Sequence, residues 1–405
     1  VPNAAGIWHD ALMRAVAFVL LGCSACGFSV ATQEAPDATI DGAVDAAVDA
    51  ATPPDVLPSC GAVEIATGGD HTCARRLDGA LLCWGYGAYG QLGIAGLQNR
   101  CTVANGSTGF CEPTPKQVQL AGVTGLGLGA AHSCATTATG VHCWGLNQYG
   151  AYGDGSTTRT IEPVLVTQRG AATAIAGGTS HACSLAAGSV SCAGRNLSGE
   201  VGDGSTMMAL TATPVATGAT AIAVGDYTSC ALDASGAIRC WGANNYRQID
   251  ATLTPRLSPT TVPDVTSAVQ IAVGRSHVCA RFADGTARCW GNNSYGQLGN
   301  GATALYSAPV AINASGIDEL DATRNLTCVR VGGEVSCVGE GVGTTLTRVP
   351  LPRPATSVSL GSRHACAITD DYSVWCWGDQ QWGQLGNGVN DLTPESQPVQ
   401  AQICP

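Results

Sequence analysis

The chain has 405 residues, with 30 Asp and Glu against 19 Lys and Arg, and 20 Cys. A net charge of −11 argues against a nucleic-acid partner, whose phosphates call for a basic face. The Cys content is far above what a reducing compartment uses, and it points to an oxidising one.

Residues 1–26 hold an N-terminal extension and an export signal. Met13-Arg14 precedes an apolar run, Ala15 to Leu21, that is far too short to cross a bilayer. Leu20-Leu21-Gly22-Cys23 then resembles a bacterial lipobox, in which Cys23 would be lipidated; an ordinary secretory peptide is the alternative. Residues 27–59 carry Glu34, Asp37, Asp41, Asp45, Asp49 and Asp55 with no Lys or Arg, and many Ala and Pro. Such a segment buries too little apolar surface to offset its ordering entropy, so it is expected to be a disordered acidic linker.

From residue 60 to 404 the chain repeats. Its cysteines fall into seven pairs, each nine or ten residues apart. They are Cys73 with Cys83, Cys134 with Cys143, Cys183 with Cys192, Cys230 with Cys240, Cys279 with Cys289, Cys328 with Cys337 and Cys366 with Cys376. Successive first Cys are 61, 49, 47, 49, 49 and 38 residues apart, and a period in the forties marks a repeat architecture. In one unit Ala268 to Gly274 reads as a short strand. His277 to Phe282 and Thr286 to Trp290 flank Asp284-Gly285, a strong hairpin signal. Cys279 and Cys289 lie symmetrically about that turn and should face each other, at the near limit of disulfide reach. A glycine-rich stretch (Asn292 to Gly299) and a Pro-led strand (Pro309 to Ile312) complete four strands per unit, without sustained helical periodicity.

The pattern predicts an all-β, seven-bladed propeller with one intra-blade disulfide per blade, over about 61–122, 123–170, 171–218, 219–265, 266–314, 315–353 and 354–402. Small residues in the first strand of each unit (Ile175-Ala-Gly-Gly, Ile271-Ala-Val-Gly) suit strands crowded round an axis. The tryptophans of Cys-Trp-Gly (Trp84, Trp144, Trp241, Trp290, Trp377) are expected to pack between blades. G-x-x-H-x-C-A-x-x-x-D-G-x-x-x-C-W-G followed by Y-G-Q-L-G resembles the repeat of the regulator of chromosome condensation family, a seven-bladed propeller. The match is fullest over residues 68–93, 274–299 and 361–386. Two units depart from it: the third has Ala193 for Trp. The sixth has Leu326 for His, Val338 for Trp and no Gln-Leu-Gly, so its outer strands are the least secure.

Two further disulfides are expected. Cys101 and Cys111 bracket an insertion in the first unit (about 94–116), and Cys60 and Cys404 flank the ring, so a bond between them would lock its ends. Zinc is a poor alternative for these Cys, since opposing strands of one hairpin supply only half a site.

Chemistry is scarce. His71, His132, His181, His277 and His364 share one repeat position, with Thr228 and Leu326 in the other two units. A metal-binding or pH-sensing ring is the sharp reading; a buried His bonded to the neighbouring blade's backbone is the bland one, and substitution among the repeats favours it. No G-x-S-x-G, H-E-x-x-H or phosphate loop is present. Asp78, Asp284 and Asp370 recur at hairpin turns and are explained by turn chemistry.

The chain therefore reads as a non-enzymatic, exported binding scaffold, extracellular or on the cell surface as an outer-membrane lipoprotein. It should be monomeric and without cofactor or metal, touching a membrane only through its lipid anchor. The expected partner is an extracellular protein or glycan. Propeller faces built of loops can vary without disturbing the sheets. The stapled insertion, with Asn105 and Phe110, is the candidate binding loop. Tyr86, Tyr89, Tyr149, Tyr152, Tyr246, Tyr295 and Trp382, all after Cys-Trp-Gly, could form an aromatic contact face, or simply pack between blades. The family resemblance implies a competing activity, guanine-nucleotide exchange on a small GTPase, which export disfavours. A secreted glycan hydrolase of propeller type is the other competitor.

Overall fold

The computed structural model describes residues 60–103 and 106–404. Cys23, Asn105 and the segments 1–26 and 27–59 lie outside the described residues. In the fifth unit, strands Ala268–Val273, His277–Phe282, Ala287–Asn293 and Ala304–Ala311 form one antiparallel sheet in chain order. Asp284 shapes the hairpin: its carboxylate accepts from the Thr286 N–H at 2.9 Å and the Thr286 hydroxyl at 2.7 Å. Gly285 meanwhile takes φ +77°, where a Cβ is unfavourable. Cys279 then pairs directly with Cys289, Cα to Cα 4.1 Å.

The same opposed bond joins the second and third strands of every other blade. Cys73 is bonded to Cys83, Cys230 to Cys240 and Cys366 to Cys376, each ten residues apart with Cα atoms at 4.1 Å. Cys134 is bonded to Cys143, Cys183 to Cys192 and Cys328 to Cys337, each nine apart with Cα atoms at 4.0–4.1 Å. Pairs nine apart use a tighter turn. Ala187-Gly188 (φ 48° and 79°) and Gly332-Gly333 (56° and 86°) are two-residue loops with both φ positive, the geometry that matches strand twist.

Six sheets have four strands and the first has five, the extra one belonging to its insertion. The sheets stand round an axis lined by their first strands, where backbones come too close for side chains. A Cβ on Gly127 would lie 2.3 Å from the Ile175 carbonyl oxygen of the next blade. The sixth unit, whose outer strands looked least secure, keeps all four, ending with Gly343–Arg348.

Every blade is made from one continuous stretch of chain, so no strand is shared across the ring closure. Cys60–Cys404 closes it covalently, across 344 residues with Cα atoms 5.4 Å apart. In the chain-entropy model a loop of that length contributes roughly 5–6 kcal/mol, an upper figure.

The apolar core is divided among the seams. One cluster joins Leu232, Ile238, Ile249 and Val262 of blade four to Ile271, Val278 and Trp290 of blade five, and the others repeat this arrangement. A polar lock recurs beside it. Between blades seven and one, the Gln384 carbonyl accepts from the Trp84 indole N–H and from the Thr72 hydroxyl, both at 2.9 Å. His364 Nε2 lies 2.7 Å from that hydroxyl. Between blades one and two the same parts are Gln91, Trp144, Ser133 and His71.

Three other seams keep part of this lock, the one between blades four and five only its Trp290 bond, and two lack it altogether. Between blades two and three, Ala193 stands for Trp, Ala182 for the hydroxyl residue and Ala151 for Gln. The Arg169 guanidinium fills the place and donates to the carbonyls of Ala151 (2.8 Å), Tyr152 (2.7 Å) and Ala182 (3.2 Å), and to the Ser184 hydroxyl (3.1 Å). Between blades six and seven nothing substitutes at that level among the described residues. Trp84, Trp144, Trp241 and Trp290 are fully buried, whereas Trp377 is only partly so, because blade six has no Gln-Leu-Gly segment to cover it. Deeper in that seam, Asp321 of blade six accepts from the Leu360 N–H of blade seven at 2.8 Å.

Candidate binding face

Turns after the first and third strands of each blade lie at the same end of the propeller, since alternate strands run in opposite directions. That face carries the residues singled out for binding. The insertion in blade one is a hairpin: Arg100–Thr102 pairs with the start of Thr108–Val118, whose remainder is the outer strand of the blade. The insertion thus extends a sheet, and Cys101–Cys111 (Cα 5.8 Å) staples its base.

Gly109 lets this hairpin lie against aromatic rings. A Cβ there would be 2.7 Å from Tyr86 Cε2 and 3.1 Å from Trp382 Cζ3. Tyr86 and Trp382 have centroids 4.4 Å apart across the junction of blades one and seven, and Tyr89 meets Tyr86 edge-on at 5.7 Å. The Gly87 N–H donates to the Phe110 carbonyl at 2.9 Å. Phe110 is 41 % exposed with the Arg100 guanidinium 5.0 Å from its ring centre. Tyr89 and Ile161 are exposed beside it, and Arg159 reaches back to the Ala88 carbonyl. Burial of Tyr86 raises its phenol pKa above the usual value.

The expected aromatic face is only partly assembled. Tyr86, Tyr89 and Trp382 come together; Tyr149 and Tyr295 are exposed on other blades, and Tyr246 is half-buried. Tyr152 follows the other expectation and packs between blades. It is fully buried at the Leu position of its loop, its hydroxyl donating to the Gly145 carbonyl at 2.6 Å, because the missing tryptophan at Ala193 leaves it room.

The axial mouth lies at the centre of this face. Asp226 sits 3.9 Å from Arg275, and both the Arg195 and Arg275 guanidinia lie over the Tyr227 ring, at 5.2 and 5.8 Å. Burial raises the carboxyl pKa of Asp70 and of Asp226, with Arg363 and Arg324 respectively opposing it most among nearby charges. The axial cavity of about 220 Å³ is lined by Gly and Ala together with polar groups that include Asp226, Asp321, Arg324 and Ser359. Burial pushes Asp321 up to about 7, against the N–H bonds from Leu360 and Ala322.

The five repeated histidines do not face this mouth as ligands. Each is buried in a seam. Four place Nε2 2.7–2.9 Å from a hydroxyl of the next blade: Ser133, Thr72, Ser229 and Thr327. The bond is to a side chain, where a backbone group was expected. His132 lacks it because its partner position is Ala182, which leaves Nε2 unbonded. Ser133 beside His71 superficially looks like a nucleophile and its base, but the hydroxyl proton goes to the Gln91 carbonyl. The imidazole must then donate through Nε2–H, the wrong tautomer for a base. Burial lowers His71, His181 and His364 to about 3, and His132 and His277 to about 4, so the rings stay neutral. Among the described residues no three metal-ligating side chains converge.

Arg169, Asp321 and Ile161 were missed. For Arg169 a signal existed: three alanines replace three repeat positions that meet in one seam, so something else had to fill it. Nothing comparable marks Asp321.

Disulfide-stapled blades with a repeated His–hydroxyl–carbonyl lock define a repeat propeller of one type. Models of the regulator of chromosome condensation (RCC1) repeat match residues 62–91, 219–248, 268–297 and 355–384, and, in a second form, 78–136 and 284–338. The chain belongs to the RCC1 repeat family. Its sequence is 30 % identical over 108 residues to the E3 ubiquitin-protein ligase HERC2 of Homo sapiens and of Mus musculus. That stretch is 26 % of this chain and 2 % of those proteins, so the chain spans a small fraction of the curated relatives it matches. Human WBSCR16 superposes with a TM-score of 0.70 at 19 % identity, over 80 % of this chain and 94 % of that one. Prp20p from Saccharomyces cerevisiae gives 0.68 at 18 %, over 85 % and 88 %. At these identities the likeness is one of fold.

Proposed function

We propose that this chain is a non-enzymatic binding scaffold working outside the cytoplasm, exported and anchored or released through the Cys23 segment. It recognises a partner protein through the loop face around the stapled hairpin. The observation that carries the reading is the hairpin itself. A disulfide and a glycine seat it on Tyr86 and Trp382, leaving Phe110, Tyr89 and Ile161 exposed between Arg100 and Arg159. Rigid aromatic and Arg side chains of this kind dominate protein-recognition surfaces. Nine disulfides support an oxidising setting. A glycan is the second partner class, because the same rings could stack on sugar.

The Prp20p structure is described with its binding to Gsp1p and histones. Exchange on a GTPase is therefore the competing reading for this chain, and disulfide-dependent folding argues against it. A photo-crosslinking residue at position 110, used on intact cells, tests the proposal. With the crosslinking residue moved to exposed position 102 for the comparison, a surface protein captured by the native face, and lost when Tyr89→Ala and Phe110→Ala are combined, supports it. Capture of GTPases alone would transfer the assignment to exchange, and capture unaffected by the double variant would remove the hairpin from the site.

A further inference from the structure

In the seams that retain the Cys-Trp-Gly tryptophan, an aliphatic side chain of the preceding blade usually covers it. Leu92 packs in one cluster with Trp144, Val201 with Trp241, Ile249 with Trp290, and Leu385 with Trp84. A glycine commonly follows and lies flat on the indole: Cβ atoms on Gly93, Gly202 and Gly386 would come within 2.7–3.0 Å of its Nε1. In three of these seams the indole N–H donates to a main-chain carbonyl just before the aliphatic residue, from Gln91, Gln248 or Gln384, each at 2.9 Å.

Blade six lacks that segment. Its third strand, Glu334–Gly339, turns at once through residues 340–342 into Gly343–Arg348. Trp377 of blade seven is consequently partly exposed, and its indole N–H has no partner among the described residues. Leu326 and Ala365 stand where the His and the hydroxyl of the lock would be. The rim carries one ion pair, with Arg363 3.6 Å from Asp379, and the Glu340 carboxylate, which accepts from Asn325 at 2.9 Å and keeps its charge. The result is a notch at the open end of an existing packed interface, apolar on its floor and with one carboxylate in excess at its edge.

We propose that this notch docks an extended segment of a partner protein that supplies what blade six lacks. The segment would lay an aliphatic side chain, flanked by glycine, over Trp377, and a main-chain carbonyl would accept the indole N–H. The Glu340 carboxylate at the rim disfavours an acidic segment, and the occupant continues an interface whose six sister seams are filled. The site is separate from the stapled hairpin and does not depend on its having a partner.

The probe is a capped hexapeptide copying Tyr295–Asn300, titrated into the full propeller while the tryptophan indole N–H signals are followed by NMR. A saturable shift of one signal, assigned to Trp377 by its absence in Trp377→Phe, is expected. Replacing the peptide's Leu by Gly should weaken binding by about tenfold, the usual worth of a buried aliphatic anchor. A second variant guards against misfolding: residues 340–342 are replaced by the blade-five segment 292–301, which closes the notch from within. It should abolish peptide binding and shield Trp377 from acrylamide quenching. Equal binding by the grafted variant, or no Trp377 shift at millimolar peptide, would overturn the proposal. A shift confined to the Trp382 indole signal, beside the stapled hairpin, would also overturn it, while supporting the hairpin site.

Discussion

Two seams have lost the same lock, and they have met the loss differently. Between blades two and three, tryptophan, hydroxyl and glutamine are all alanine, yet Arg169 and Tyr152 restore both the volume and the donors. Between blades six and seven the covering segment is gone, Trp377 is partly bare, and the new polar tie is Asp321 to the Leu360 N–H near the axis. A repeat position can therefore be given up when one group replaces its packing and its hydrogen bonds together. Where only part is replaced, the seam is left with an open surface.

Acid should separate the seams most strongly. The folded histidines lie at about 3 to 4, below the unfolded value of 6.5. The unfolded chain thus binds the extra protons, and stability present above pH 6.5 is lost as pH falls. Asp321 works the other way, since its folded value of about 7 is above the unfolded 3.8 and acidification favours the fold. Asp70, Asp226 and Glu319, also raised by burial, act in the same direction as Asp321, but the five histidines outweigh them and net stability falls between pH 7 and 5. Denaturant midpoints across that range check the sum. Hydrogen exchange checks its distribution: the five histidine seams should lose protection, and the seam between blades six and seven should not.

Arg169→Met comes next. It keeps apolar bulk but leaves several buried carbonyls unpaired, at a cost of about 3–5 kcal/mol in urea unfolding. Survival of full stability would mean that volume alone compensates that seam. Trp144→Ala should then cost about 4 kcal/mol and Trp377→Ala clearly less, since the second ring is already partly exposed. Equal losses would erase the contrast between filled and open seams. The smallest effect is expected of Asp321→Asn at pH 8. An amide can keep one acceptor and spares a buried charge, so the change should stay within about 1 kcal/mol.

Most of the architecture was legible because it is written seven times. Cys279 opposite Cys289, and the Asp284-Gly285 turn between them, follow from two-residue strand periodicity and from turn chemistry that acts locally. The other six blade bonds, from Cys73–Cys83 to Cys366–Cys376, follow by the same reasoning. The closure by Cys60 and Cys404 followed from counting, once a ring was assumed. What stayed hidden depends on neighbours far apart in sequence. Tyr152 could not be told in sequence from the other tyrosines after Cys-Trp-Gly, and only the alanine at 193, across a seam, explains why it is fully buried. Asp321 is one carboxylate among many until the Leu360 N–H of the next blade is placed beside it. The hairpin was legible as a stapled insertion, but its seat on Tyr86 and Trp382 joins the first and last blades and has no local signature.

Cysteines only nine or ten positions from their partners have a consequence for biogenesis. Each module can oxidise correctly as soon as its own turn has been made, before the cysteines of later modules exist. Only the clasp at Cys404 must wait for the rest of the polypeptide. Disulfide pairing is thereby reduced to a series of nearest-neighbour steps with a single late event.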